Sequence, residues 1–325
     1  MPEPGSATPD RSWRARLTRL THRIEHGAVA LREWSSRHVR VLAVVAALLF
    51  VALSVIGIRA YSRLHLHPDL WLLAPAAVFG ALFLTFLNAG EYWCGAVLAR
   101  HHPSAMESIT VSIAGSAANL LPVPGAVIVR NYAMVSGGAT VAGALGGTVV
   151  VALAWVGVTA VVLGGIVLTT DLVLGVVLCV VGLGMVVAVV LAVRRRLPGR
   201  EGTVVWSTLL GVELVTVGVE IGRYWLVLAA LGAHPTLLRT VPLVGANVVA
   251  AASIVFPGGL GIREALAGGF AAAANLPAAV GIAASALDRL ALTAMFAVSA
   301  GLLGLWRRRH QRAATTSGVV SDGTA

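Results

Sequence analysis

The sequence predicts an all-α polytopic membrane protein with about six full spans and two re-entrant helical hairpins arranged as an inverted repeat, which hydropathy alone reads as roughly eight transmembrane helices. Three observations lead there. The 325 residues are 58% hydrophobic and only 12% charged, with a mean hydropathy of +0.87, whereas soluble domains carry about a quarter charged residues. Several apolar runs reach the roughly 20 residues that a membrane helix needs. A set of rare-residue landmarks also recurs in order about 132 residues apart.

The chain falls into three parts. Residues 1–40 form a basic N-terminal tail, partly an amphipathic surface helix from about Trp13 to His38. Residues 41–306 form one transmembrane domain, and 307–325 a basic and then disordered tail. The N-terminus lacks the small-residue cleavage site of a secretory signal, so it stays in the mature protein.

Val41–Ile58 is the first span, and a polar loop, 59–69, leads to a second from Leu70 to Ala99. Ala105–Leu121 stops at PVPG, and Ala126–Gly138 resumes past Arg130; neither piece is a full span. Ala139–Leu168 and Leu172–Val193 are spans joined by Thr169-Thr170-Asp171. After RRRLPGR come a span from Thr203 to Ala233, a short piece from Thr240 to Phe256, the interruption PGGLGIRE, a short piece from Leu266 to Ala274, and a last span from Leu276 to Trp306.

All 24 lysine or arginine positions are arginine, and most cluster before residue 41, at 194–200 and at 307–312. By the positive-inside rule these clusters lie in the cytoplasm, as do both termini of a multi-pass plasma-membrane protein. The net charge of +10 therefore reports orientation rather than nucleic-acid binding. Parity then requires residues 104–138 to leave and return on the cytoplasmic side, and 238–275 on the outer side.

The repeat supports this count. Tyr92-Trp93 with His102-Pro103 recurs as Tyr224-Trp225 with His234-Pro235, and Pro124-Gly125 with Arg130 recurs as Pro257-Gly258 with Arg263. The halves are 70–168 and 203–306, with the spans at 41–58 and 172–193 outside them. Inverted repeats with broken helices near the midplane are how many transporters build a site open to alternate sides.

Two groups of residues could carry chemistry. An intramembrane arginine must face protein or water, helix N-termini attract anions, and guanidinium grips phosphate in a two-pronged fashion. The expected binding set is therefore Arg263, Arg130, Glu264, Gly258, Gly259 and Asn119, with Asn119 also placed to satisfy carbonyls freed by the first break. Equally, each arginine could pair with an acid and hold its hairpin in place. The second group is an interior charge network of Glu91, Glu213, Glu220, Arg223, Asp288 and Arg289. Glu220 and Arg223 are i,i+3 neighbours able to pair, while the adjacent Asp288 and Arg289 need separate partners.

Cys94 and Cys179 lie in apolar runs and read as packing residues, and His65, His67 and Asp69 read as a solvated turn rather than a metal site. No phosphate-binding loop with lysine and no nucleophile-base spacing is present, so neither an enzyme nor a cofactor is expected.

Asn119 to Arg130 (N-x-L-P-x-P-G-x4-R), FPGGLGIRE at 256–264 and Asp288-Arg289-Leu290 resemble the transmembrane region of the lysylphosphatidylglycerol synthases, a flippase-like family. The resemblance covers about residues 41–306 and leaves out the soluble aminoacyl-transfer domain. It implies a bacterial plasma-membrane protein that moves an anionic or aminoacylated phospholipid, or a lipid-linked headgroup, between leaflets. Membrane lipid is the expected partner, with a homo-oligomer or a lipid- or glycan-modifying enzyme as further possibilities. The alternative readings are a proton- or ion-coupled small-molecule exporter and a non-transporting partner of such an enzyme.

Overall fold

A computed structural model describes residues 39–64, 66–118, 125–252 and 261–319. Those residues are helical, with no strand among them: α1 (Val39–Tyr61), α2 (Leu73–Leu98), α3 (Ala105–Ala118), α4 (Gly125–Ser136), α5 (Val141–Val167), α6 (Leu172–Arg196), α7 (Arg200–Ala230), α8 (Leu237–Ala252), α9 (Ile262–Ala273) and α10 (Ala278–Val319). Among the described residues, five helices are long and apolar enough to cross a membrane: α2, α5, α6, α7 and the Ala278–Leu302 part of α10. The first expected span lies within the 23 residues of α1. With 14, 12, 16 and 12 residues, α3, α4, α8 and α9 are too short to cross.

Helix ends follow local chemistry. Ser104, after His102-Pro103, accepts from the Glu107 N–H at the start of α3 (3.1 Å), and Thr236, after His234-Pro235, accepts from the Arg239 N–H at the start of α8 (3.3 Å). These are hydroxyl N-caps at matching places in the repeat. Asp171 caps α6 through the Leu174 N–H at 3.0 Å, and α6 stops just before Leu197-Pro198. At the far end, α10 runs on to Val319, through most of the stretch expected to be disordered. The reason is local: Arg307 to Thr316 contains no glycine or proline and is rich in the good helix formers Arg, Gln and Ala.

Most helix neighbours are exchanged in pairs by swapping the two halves. α3 packs on α4 as α8 packs on α9, and α4 on α5 as α9 on α10. Likewise α2 meets α5 and α10 as α7 meets α10 and α5, and α3 meets α10 as α8 meets α5. The same exchange relates α1 against α10 to α6 against α5. The structural unit is thus five helices, α1–α5 and α6–α10, and each unit's first helix packs on the other unit's last. The helices left outside the sequence repeat occupy equivalent places. A faint signal for this lies in VLAVV at 41–45 and VLGVV at 173–177, again 132 residues apart.

The equivalent helices α2 and α7 pack together and run antiparallel. The Asp69 N–H, just before α2, donates to Ala230 O at 2.8 Å; a Cβ on Gly80 would lie 2.8 Å from Arg223 Cδ, and one on Gly90 would lie 3.1 Å from Val212. The Cys94 thiol then reaches Val205 O at 3.8 Å. Residue numbers fall along α7 as they rise along α2.

The loops accordingly gather at two ends. Arg100 donates to Arg196 O (2.8 Å), and Gly137, after α4, lies against the His101 ring, so the α3–α4 hairpin begins and ends there. At the other end Tyr61 donates to Leu231 O at 2.7 Å. Leu276, after α9, joins Leu231 and Ala233 in one cluster with the half-buried Leu64 and Leu66, so the α8–α9 hairpin belongs to that end.

Small residues set the closest approaches. A Cβ on Gly147 of α5 would sit 2.3 Å from Gly95 O of α2, and one on Gly281 of α10 would sit 2.3 Å from Ala267 O of α9. Glycine lets such backbones touch where apolar burial gives no drive for association in lipid. The outward faces remain apolar; on α6, Leu172, Val173, Val176, Val177, Val180 and Leu183 are all exposed. That is the surface a lipid-bathed helix presents.

Candidate functional site

Polar residues of the interior cluster on matching faces of the two central helices. On α2 they are Asn88, Glu91 and Tyr92; on α7, exactly one repeat later in number, they are Glu220, Arg223 and Tyr224. Spacing i, i+3, i+4 puts each trio on one side of its helix. Each trio faces an arginine from its own half's hairpin.

In the second half the arginine is Arg263, on the first turn of α9. Its Nη2 donates to Tyr224 Oη at 2.6 Å and to Asp288 Oδ2, and its Nε approaches the same phenol oxygen at 3.3 Å. Arg223 donates to the two Asp288 oxygens from Nε (2.5 Å) and Nη2 (3.2 Å). Asp288, 1% exposed, therefore bridges two guanidinium groups. Its neighbour Arg289 points elsewhere, placing Nε 3.3 Å from Glu264 Oε1. The other Glu264 oxygen accepts from the Gly261 N–H at 2.8 Å, tying down the start of α9, where Gly261 has φ 79°.

Glu220 and Arg223 do not hydrogen-bond, although their spacing allows it. Arg223 is turned to Asp288, and Glu220 Oε1 instead accepts from Asn247 Nδ2 at 3.1 Å. A two-pronged bond to a buried carboxylate on another helix outweighs a single contact along the same helix. Gly80 of α2 makes the room that Arg223 occupies.

In the first half the arginine is Arg130, the sixth residue of α4 rather than part of its first turn. It donates from Nη1 to Glu91 Oε2 and from Nη2 to Asn88 Oδ1, both at 3.0 Å. Its Nε is buried with no hydrogen-bond partner. The side chain is 18% exposed, twice the 9% of Arg263.

Glu213 stands apart. It is fully buried on α7, and neither carboxylate oxygen has a hydrogen-bond partner. Glu91, Arg130 and Glu220 are its charged neighbours. Asn119, Gly258 and Gly259 of the expected binding set lie outside the described residues.

Tyr224, Asn88 and Asn247 are site residues that the sequence reading passed over. The repeat could have found two of them, since Tyr224 is one of its landmarks and Asn88 matches Glu220. Two open clefts of about 340 Å³ each lie at the arginine-rich end, one lined by His102 and Arg200, the other by Arg100 and Arg196. The buried network lines neither. Among the described residues no cluster of His, Cys, Asp and Glu is arranged to hold a metal ion.

The chain matches no protein-family model, no curated protein and no solved structure, so the reading of this site rests on its own residues and geometry.

Proposed function

We propose that the protein is a lipid translocase or lipid-binding transporter that takes an anionic phospholipid or lipid-linked headgroup at a central site between two re-entrant hairpins. In this reading α3–α4 and α8–α9 dip into the membrane from opposite faces, the two halves form an inverted repeat, and both termini are cytoplasmic. The carrying observation is that two short-helix hairpins, equivalent under exchange of the halves, each bring one arginine against the antiparallel pair α2 and α7. Broken helices around a midplane site are a transporter's way of reaching both sides in turn.

The two arginines have different parts in it. Arg263 is engaged by Asp288 and Tyr224 and holds its hairpin. Arg130, twice as exposed as Arg263 and bound to a single acid, meets the headgroup. Acyl chains stay in the bilayer against the apolar outer faces.

The test uses purified protein in proteoliposomes containing labelled anionic phospholipids. Arg130→Ala should abolish headgroup retention, read by native mass spectrometry, and transbilayer movement, while leaving the fold intact. Arg263→Ala should lose movement together with thermal stability. Retention and movement unchanged in both variants would end this reading.

A further inference from the structure

The buried charges of the two halves do not balance alike. Around Asp288 the three arginines 223, 263 and 289 stand against the three acids Glu220, Glu264 and Asp288. Around Arg130 there is one arginine and two acids, Glu91 and Glu213. Glu91 takes the arginine's hydrogen bond, and Glu213 is left with two unpartnered oxygens at zero exposure.

A buried carboxylate with no hydrogen-bond donor, whose one nearby cation is bonded to another acid, is too costly to keep. Its position is also special. Gly90 of α2 lies against Val212 of α7, so Glu91 and Glu213, each the next residue in sequence, stand at the same level of the contact between these helices. Glu213 is near the middle of the 31-residue α7. Its repeat equivalent on α2 is Ala81, so the cluster around Arg263 has no matching carboxylate.

Neighbouring elements supply no substitute cation. α2 brings Glu91, Tyr92 and Cys94, and the Cys94 thiol is turned to Val205 O. α5 carries no ionisable side chain. α6 brings only Cys179 and the arginines at its end, and α8 only Arg239, bound to His234 O at 3.0 Å. On α10, Asp288 and Arg289 belong to the other cluster.

We propose that the Glu213 carboxylate is the binding site of an exchangeable monovalent cation, a proton or Na+, seated in the contact between α2 and α7. The cation supplies the charge that Arg130 cannot share between Glu91 and Glu213. When it leaves, Glu213 competes with Glu91 for Arg130 and pulls on the α4 hairpin. The coupling of this cation to lipid movement rests on the transport reading above; the cation site itself does not.

Dicyclohexylcarbodiimide, which forms a stable adduct with protonated carboxyls in apolar surroundings, tests the site on the purified full-length protein with peptide mass spectrometry. The expected result is an adduct on Glu213, lost in Glu213→Gln and kept in Glu213→Asp. For a proton site, the labelling rate falls about tenfold per pH unit above the titration midpoint. For a Na+ site, the rate falls when NaCl replaces KCl at fixed pH. No adduct on Glu213 in monodisperse protein, or labelling indifferent to both pH and Na+, overturns the proposal. Failure of the lipid reading shows elsewhere, as unchanged headgroup retention in Arg130→Ala.

Discussion

The two halves share a helix plan and differ in what they bury. Around Arg263 the polar groups are joined through Asp288, which takes two arginines, with Tyr224 a third contact, while Arg223 Nη1, Glu220 Oε2 and Glu264 Oε1 are buried without a hydrogen-bond partner. Around Arg130 the set is open, with one acid, one amide, a spare guanidinium N–H and an idle carboxylate nearby. The difference comes from a few matched positions: Arg223 stands where the first half has Glu91, and Ala81 where the second has Glu213. Duplicated backbones can thus divide labour, one hairpin being tied to a carboxylate shared by two arginines while the other shares one arginine with a carboxylate that has no hydrogen-bond partner at all.

Asp288→Ala should have the largest effect, because it strands two buried arginines. Breaking such a set costs about 3–5 kcal/mol, read as a loss of thermal stability in detergent. Glu91→Ala strands only the half-open Arg130 and should cost clearly less. Equal losses would erase the distinction between the halves.

Next come the close helix crossings, which the halves share. Gly147→Leu and Gly281→Leu each push a side chain into a facing carbonyl. Overpacking of this kind costs about 1–3 kcal/mol or somewhat more, and melting curves of both variants should fall together. A loss in one alone would confine the matched architecture to part of the fold.

Smaller still is Tyr224→Phe, which takes from Arg263 an acceptor at 2.6 Å. The cost is about 1–3 kcal/mol, that of a buried donor deprived of one partner. Tyr92→Phe, at the matching position, removes only a 3.2 Å bond from the phenol to the part-exposed Glu107 and should cost little by the same melting assay. A larger loss for Tyr92→Phe would reverse the order of the two clusters.

Most helix positions were legible in the chain, because lipid admits few solutions. The charge-free runs at 139–168 and 172–193 became Val141–Val167 and Leu172–Arg196, and His-Pro followed by a hydroxyl residue marked where both hairpins begin. The separate partners of Asp288 and Arg289 followed from their 100° offset on a helix. The place of α1 and α6 was not legible, since valine-rich runs carry almost no landmarks.

What the sequence determined alone is therefore local and periodic: which stretches are helical, where proline, glycine and hydroxyl caps end them, and which rare residues recur 132 or 133 positions apart. Which charge meets which was decided only by the tertiary structure. Arg223 could reach Glu220 along its own helix, yet it turns to Asp288, 65 residues away, because packing brings a fully buried carboxylate within reach of both its Nε and Nη2. Glu213, on the same helix, is left without any donor. Spacing sets what a side chain can reach within its own helix; burial and crossing geometry set which partner it finds.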